Sequence, residues 1–312
     1  MKTGKIHIAL VVAVIAAVIA GVSFSARSSN SQTPRTGPSA PVSPVKPTSK
    51  ITGPTPATPA PANEASSPFA AAATQNALLK NDLAWTFGGK QQHGWQLYDL
   101  LISKTLNSDH DTVTVEFASE LANWQKRMGL KSDGVLDEDS LMRLISQWQS
   151  NRLKNRDAAD PSQLLTAPTT DFYDPSRAPE LRQVERNTYA AYKQMVAAAI
   201  ADPTLNLAHT SPAELGPREQ FFKIVSSFRS RDYQDELRRK SPNAGSAGLA
   251  VNSPHFTGRA LDLYVGGDPV DTTDSNRAIQ VNTPAYRWLV RNAERFGFRP
   301  YFYEPWHWEY VR

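Results

Sequence analysis

Two short segments near the C-terminus hold residue types that suit a hydrolytic metal ion. Residues 253–262 read SPHFTGRALD, and residues 304–310 read EPWHWEY. They contain two of the chain's six histidines, His255 and His307, and several carboxylates, including Asp262 seven residues after His255. Two imidazoles and one carboxylate suit a catalytic zinc ion, which keeps one coordination position open for water. The two segments therefore favour metal-assisted hydrolysis.

The first segment is predicted to be a loop that runs into a strand. Pro254 and Gly258 argue against an uninterrupted helix between His255 and Asp262. Side chains alternate between the two faces of a strand, so Asp262 is expected to face a site while its neighbours face the core. The residues expected on the core face are Leu261, Leu263 and Val265.

The second segment also alternates as a strand, with His307 and Glu309 on one face and Trp308 on the other. Glu304 lies three residues before His307. We expect it to reach a water molecule at the same metal ion, provided that Pro305 makes a turn.

The pattern Ser-x-His-x-x-Gly-x-Ala-x-Asp, followed by Glu-x-x-His, resembles the VanY-like D-alanyl-D-alanine carboxypeptidases of the LAS zinc peptidases. Every fixed position of the pattern is filled. By this resemblance, His255, Asp262 and His307 are the zinc ligands and Glu304 is the general base. The resemblance also implies a small antiparallel-sheet zinc peptidase domain with flanking helices, which acts on peptidoglycan stem peptides.

An arginine before these segments completes the resemblance. In the resembling family an arginine in a Tyr-Arg-Ser context faces the substrate, and here the context is Phe228-Arg229-Ser230. Arg229 is expected to stabilise negative charge on the scissile carbonyl oxygen, whereas the tyrosine hydroxyl is lost. Ser253 and Gln234 are expected to orient the substrate, and Trp306 to form part of the core and the pocket wall.

Glu309 departs from the family pattern, because many relatives carry arginine at this position after the Trp-His pair. Sharing a strand face with His307, it is predicted either to support that ligand or to place a charge in the substrate pocket. It is also a rival general base, but spacing and resemblance favour Glu304.

Composition excludes several classes of protein. The 312 residues allow one or two domains, and the absence of cysteine excludes disulfides, cysteine metal ligands and a lipidated N-terminal cysteine. The formal net charge is +4, but residues 1–68 alone carry +5, which leaves −1 for the remainder. Because the basic charge belongs to the tail, no nucleic-acid partner is expected.

Residues 1–26 are predicted to be a signal peptide or a membrane anchor. Lys2 and Lys5 precede an uncharged apolar run at 8–22, and small residues follow where a signal peptidase could cut. In a retained anchor, residues 6–24 would lie in the cytoplasmic membrane. Both alternatives predict export to the periplasm or cell envelope, and the second adds the inner membrane as a partner.

The rest of the chain is predicted to be α+β, in four further segments. Residues 27–75 are rich in Pro, Ser, Thr and Ala and predict a disordered linker. Residues 76–150 predict a small all-α helical domain, and residues 151–171 predict a connector. Residues 172–312 predict the catalytic domain, which is long enough for one core.

The helical domain resembles, over about half its length, a small three-helix peptidoglycan-binding domain. The resemblance rests on residues 124–141 and implies the cell wall as a partner; a plain helical bundle without a ligand is the alternative. Gly129 is predicted to end one helix and Asp137 to cap the next. Further helices are predicted from about residue 179 to 200 and from Pro284 to residue 296.

Three functions follow from these patterns. The leading hypothesis is an exported zinc D,D-carboxypeptidase that removes the terminal D-alanine from stem peptides. The second is a peptidoglycan endopeptidase with the same site, which would cut cross-links or L-alanyl-D-glutamate bonds. The third is a wall-binding protein that keeps the metal without catalysis.

Overall fold

The computed structural model of the chain describes residues 67–240 and 250–312. The predicted signal peptide or membrane anchor at 1–26 lies outside the described residues, as does the predicted linker up to residue 66. Within the two described ranges, no helix is both long enough and apolar enough to cross a bilayer.

The described residues combine helices with small antiparallel sheets, which confirms the predicted α+β class. The helices are α1 (Ala70–Asp82), α2 (Asp99–Leu106), α3 (Val115–Met128), α4 (Glu138–Ser150), α5 (Arg186–Ile200), α6 (Arg231–Lys240), α7 (Asp274–Val281) and α8 (Pro284–Asn292). The strands are β1 (Ala84–Phe87), β2 (Lys90–His93), β3 (Leu164–Thr166), β4 (Gln183–Glu185), β5 (His209–Ser211), β6 (Glu214–Leu215), β7 (Ile224–Ser226), β8 (Ala260–Leu263), β9 (Phe298–Tyr301) and β10 (Glu304–Tyr310).

Local signals set the helix ends in the first half of the described chain. Thr114 and Asp137 accept hydrogen bonds from backbone amides at the starts of α3 and α4. Gly129 ends α3 in the left-handed conformation. Helix α1 begins at Ala70, where the linker was expected to continue to residue 75, because four successive alanines favour a helix over an extended chain.

A β-hairpin interrupts the segment that was predicted to be entirely helical. Strands β1 and β2 pair around Gly88 and Gly89, which both have positive φ angles. Two adjacent glycines with positive φ suit the two-residue hairpin turn whose twist matches that of the strands. The hairpin contributes Trp85 to the core.

The helix predicted from about residue 179 begins later, at Arg186. A short 3-10 turn, Pro179–Leu181, comes first, and strand β4 then pairs antiparallel with β3. The Glu185 side chain accepts hydrogen bonds from the amides of Asn187 and Thr188, which fixes the start of α5.

A four-stranded antiparallel sheet in the order β7-β8-β10-β9 carries the segments singled out in the sequence. Strand β8 is central and buried along its whole length. Its register places Asp262 opposite His307 of β10 on one side and opposite Ser226 of β7 on the other. The residues predicted on its core face, Leu261, Leu263 and Val265, are all in the hydrophobic core.

One hydrophobic core joins this sheet to the helices that precede it. Trp95 and Phe117 from the helical segment belong to the same buried cluster as Leu261 and Trp308 from the sheet. The described residues accordingly form a single compact unit. The predicted limits of the helical, connecting and catalytic segments stay predictions about domain organisation.

Candidate metal centre

Three buried side chains converge where strands β8 and β10 pair. His255, Asp262 and His307 each offer one nitrogen or oxygen, and these atoms lie within 4.8 Å of one another. The two imidazole rings have their centroids 5.0 Å apart. Directly opposed residues of an antiparallel pair are close neighbours, so the β8–β10 register itself brings Asp262 and His307 together. This group could hold a metal ion.

His255 is positioned by a short turn and by the end of β7. The turn, Pro254–Thr257, is a 3-10 helix capped by the Ser253 hydroxyl, which accepts a hydrogen bond from the His255 amide. The Nδ1 atom of His255 lies 2.6 Å from the carbonyl oxygen of Ser227. Its Nε2 atom therefore faces the cluster, 3.3 Å from Asp262 Oδ2.

Asp262 lies at the centre of the cluster. Its Oδ1 atom is 2.9 Å from His307 Nδ1, and its Oδ2 atom is 2.7 Å from Arg229 Nη2. Burial alone would raise the pKa of this carboxyl group, but His255, His307 and Arg229 hold it well below its usual value. Asp262 is therefore a carboxylate at neutral pH.

The pKa values of the two histidines shift in opposite directions. Burial, followed by the positive charge of Arg229, lowers the pKa of His255 to about 4. Burial also acts to lower the pKa of His307, but its hydrogen bonds with Asp262 and Glu309 outweigh that effect and raise the pKa to about 9. His255 is thus neutral near pH 7, as a metal ligand must be, whereas His307 must release a proton when it binds a metal ion.

Glu304 begins strand β10 and is buried. Burial raises its pKa to about 7, and the charges of His307, Asp262 and Arg229 act on it as well. No hydrogen bond ties its carboxylate to other side chains in the described ranges. Among these residues, the carboxylate oxygens of Glu304 therefore remain available to accept a hydrogen bond.

The turn at Pro305, which was the condition for Glu304 to reach the metal-bound water, is not formed, because Glu304–Tyr310 is one strand. Residues three apart on a regular strand face opposite sides. Here the pairing of β10 with β9 shifts between Glu304 and Trp308, which forms an irregularity in the ladder. Pro305 has no amide hydrogen to donate to the ladder, which accounts for the irregularity at this point.

Arg229 is held in place at the edge of the cluster. Its Nε donates to Ser226 Oγ at 2.9 Å, and its Nη1 lies 3.4 Å from Gln234 Oε1. Its Nη2 forms the ion pair with Asp262, at 2.7 Å. The guanidinium group therefore lies beside the three candidate ligands.

Comparison with known proteins identifies the part of the chain that carries this cluster. Residues 181–312 match the model of the VanY family, described as D-alanyl-D-alanine carboxypeptidase. These residues form a VanY domain. The matched range contains all three members of the cluster, together with Glu304 and Arg229, and it belongs to a family of peptidases that act on peptidoglycan peptides.

Two solved structures resemble the chain in part. The LdcB LD-carboxypeptidase structure is 24% identical over 49% of this chain and 69% of its own, with a TM-score of 0.35. The structure of VanYB in complex with D-alanine-D-alanine is 21% identical over 42% of this chain and 72% of its own, with a TM-score of 0.26. No curated protein sequence matched the chain.

The side chains predicted to orient the substrate have structural partners in the VanY domain. Gln234 is buried, contacts Arg229 and donates from Nε2 to the carbonyl oxygen of Ala250 at 3.1 Å. Ser253 caps the turn that carries His255. Trp306 is buried in the hydrophobic core. Their roles toward a substrate stay predictions.

Sequence reasoning missed Arg152, which lies in the predicted connector. Its guanidinium binds Glu309, and Glu309 Oε1 lies 3.2 Å from His307 Nε2. Burial would raise the pKa of Glu309, but His307 and Arg152 lower it to about 2. The available signal was indirect, since a carboxylate predicted beside a buried ligand requires a cation somewhere in the chain. Nothing in the sequence showed which cation that is.

The donor set fits a zinc ion. His255 Nε2 and His307 Nδ1 are turned toward the Asp262 carboxylate, and the other ring nitrogens contact the Ser227 carbonyl and Glu309. Zinc-binding histidines in proteins characteristically donate their second nitrogen to a carbonyl or a carboxylate in this way. Two histidines and one carboxylate are also a known ligand set for catalytic zinc.

Proposed function

We propose that this protein is a zinc-dependent carboxypeptidase that hydrolyses the terminal D-alanyl-D-alanine bond of peptidoglycan stem peptides. The observation that carries the proposal is the buried group of His255, Asp262 and His307 inside a VanY domain. The family supplies the class of substrate, and the group supplies the ligands that its chemistry requires.

His255, Asp262 and His307 would hold the zinc through Nε2, a carboxylate oxygen and Nδ1 respectively. When bound, zinc supplies Lewis acidity, which polarises a carbonyl group and acidifies water. The β8–β10 register and the contact between His255 and the Ser227 carbonyl orient these ligands before a metal arrives. Little reorganisation is then needed on binding.

Glu304 is the proposed general base. Its carboxylate takes a proton from the attacking water and delivers it to the nitrogen of the departing D-alanine. A base is most effective when its pKa lies near the working pH, and burial raises the pKa of Glu304 to about 7.

Arg229 is the proposed stabiliser of negative charge on the scissile carbonyl oxygen. Its Nε is fixed by Ser226, so the guanidinium group does not need to be ordered during the reaction. Gln234 supports it through Nη1. We further propose that Gln234, Ser253 and Trp306 line the substrate pocket.

The substrate also bears on location. A peptidase of peptidoglycan stem peptides works in the periplasm or cell envelope. This location agrees with the export segment predicted at residues 1–26. Residues 6–24 would anchor the protein in the cytoplasmic membrane if they are retained, and the helical segment at 76–150 would bind the cell wall.

The test is metal analysis of the purified protein together with digestion of a pentapeptide stem. We expect bound zinc and release of D-alanine, both lost in the His255→Ala, His307→Ala double variant. Full activity in that variant would refute the zinc mechanism. Mass spectrometry of digested sacculi separates the alternatives, because shortened stems indicate a carboxypeptidase and opened cross-links an endopeptidase. Sacculus binding by zinc-loaded protein without any turnover would favour a non-catalytic role.

A further inference from the structure

Glu309 is completely buried, and its carboxylate contacts Arg152, the Leu153 amide and His307. Its Oε1 accepts from Arg152 Nε at 3.1 Å and lies 3.2 Å from His307 Nε2. Its Oε2 accepts from the Leu153 amide at 2.8 Å. A carboxylate removed from water is costly unless it is paired and hydrogen-bonded. These contacts satisfy both oxygens and leave the carboxylate one orientation.

Arg152 reaches Glu309 from outside the VanY domain, because it lies in the turn that follows α4. Its guanidinium carbon lies 3.9 Å from the centroid of the Tyr301 ring. Its Nη1 donates to Gln149 Oε1 at 2.9 Å. The guanidinium group is therefore held from three sides, by an aromatic face, by the last turn of α4 and by Glu309 itself.

We propose that Arg152 and the Leu153 amide are positioning groups for the metal ligand His307, and that they act through Glu309. The proposal rests on the proposed function, since it concerns the same metal centre. It makes the turn after α4 part of that centre, although the VanY match begins 29 positions later, at residue 181.

The physical reason is the orientation of one ring. His307 presents Nδ1 to the cluster only while its Nε2 faces Glu309, because the two nitrogens are fixed on opposite parts of the imidazole. If Arg152 is lost, the Glu309 carboxylate keeps only two contacts, the Leu153 amide and the His307 ring. Loss of such an outer hydrogen-bond partner costs about 10- to 100-fold in metal affinity or activity.

The experiment measures zinc affinity of the full chain by competition with a chromophoric chelator. The variants are Arg152→Gln, Glu309→Gln and the double variant, and Arg152→Lys keeps the charge but not the two-pronged donor geometry. Arg143→Gln is the matched control, because Arg143 is an exposed arginine of α4. Thermal unfolding of each protein in a metal chelator reports whether the fold itself has been weakened.

We expect Arg152→Gln and Glu309→Gln each to weaken zinc binding about 10- to 100-fold, with Arg152→Lys intermediate and Arg143→Gln unchanged. The double variant is expected to lose no more than the larger single loss, because both substitutions break one chain of contacts. The visible spectrum of cobalt-substituted Arg152→Gln is expected to differ from that of the wild type, which a loss of stability alone would not produce.

Unchanged zinc affinity and an unchanged cobalt spectrum in Arg152→Gln would overturn the proposal, even if the metal-free protein unfolds at a lower temperature. Should Arg152→Gln fail to fold, Arg152→Lys and Glu309→Gln carry the same test, and wild-type affinity in both would overturn it. A wild-type protein that binds no zinc would instead refute the proposed function, so the two failures are distinguishable.

Discussion

Three carboxylates of the same site are set apart by their surroundings. Asp262 is surrounded by His255, His307 and Arg229, which keep its pKa well below the usual value. Glu309 faces His307 and Arg152, and its pKa falls to about 2. Glu304 has no such close partner among the described residues, and burial raises its pKa to about 7. These environments agree with the proposed roles, in which two carboxylates bind or support the metal and the third transfers protons.

Glu304→Gln is expected to lower kcat about 10²- to 10⁴-fold, the usual contribution of a general base. Zinc content is expected to stay the same, because glutamine keeps the size of the side chain and Glu304 is not one of the proposed ligands. Steady-state kinetics on a stem pentapeptide with parallel metal analysis checks this. Glu180→Gln, at an exposed glutamate one residue before the VanY domain, is the control and should behave as the wild type. A loss smaller than about tenfold would point to another base.

At the scale of elements, the site depends on where short segments end. His255 is carried on a four-residue 3-10 turn, which Ser253 starts and Gly258 ends. Gly258 has a φ of +66°, and a Cβ atom there would lie 2.8 Å from Leu164 Cδ2 and 3.0 Å from the Glu185 amide nitrogen. Both the conformation and the close packing require glycine.

Gly258→Ala is therefore expected to destabilise the protein more than Gly129→Ala. Gly129 also has a positive φ, of +72°, but nothing lies within 4 Å of an added Cβ, so only the conformational cost of about 1–2 kcal/mol applies. At Gly258 the overlap with β4 and Leu164 adds about 1–3 kcal/mol. Urea unfolding of both variants measures the difference. Equal losses would show that the Gly258 contacts relax freely.

The sequence predicts elements well where a local rule decides them. The cap at Asp137, the stop at Gly129 and the core face of β8 all follow from residue type and spacing. The start of α5 does not, because Gln183–Glu185 pairs as a strand with β3, earlier in the chain. The irregular pairing of β10 with β9 was also not predicted. Arg152 escapes for the same reason, since only the fold brings it to a strand 157 positions away.

At the scale of the whole molecule, the helical segment and the VanY domain are joined by polar and cation–π contacts as well as by a shared core. Arg277 of α7 is buried, and its guanidinium carbon lies 4.3 Å from the centroid of the Tyr303 ring and 5.6 Å from that of Tyr98. Lys104 of α2 donates to the carbonyl oxygen of Val290 in α8 at 2.6 Å. Such contacts couple the unfolding of one part to that of the other.

Residues 66–312 are therefore expected to unfold in one cooperative transition. Far-ultraviolet circular dichroism, which reports mainly on the helices, should give the same midpoint as tryptophan fluorescence. Zinc should raise both midpoints together, because a ligand that binds only the folded state at 100 times its Kd adds about 2.7 kcal/mol of stability. Two separated transitions, with zinc shifting one alone, would show that the helical segment unfolds independently.

The ion pair between Arg152 and Glu309 also bears on how such a protein can be recombined. A helical segment taken from another protein need not supply a cation at the position of Arg152. A chimera that joins that segment to this VanY domain would leave the buried Glu309 carboxylate without its arginine partner. Positions 152 and 309 should therefore change together in evolution, and module exchange should succeed only when both are transferred.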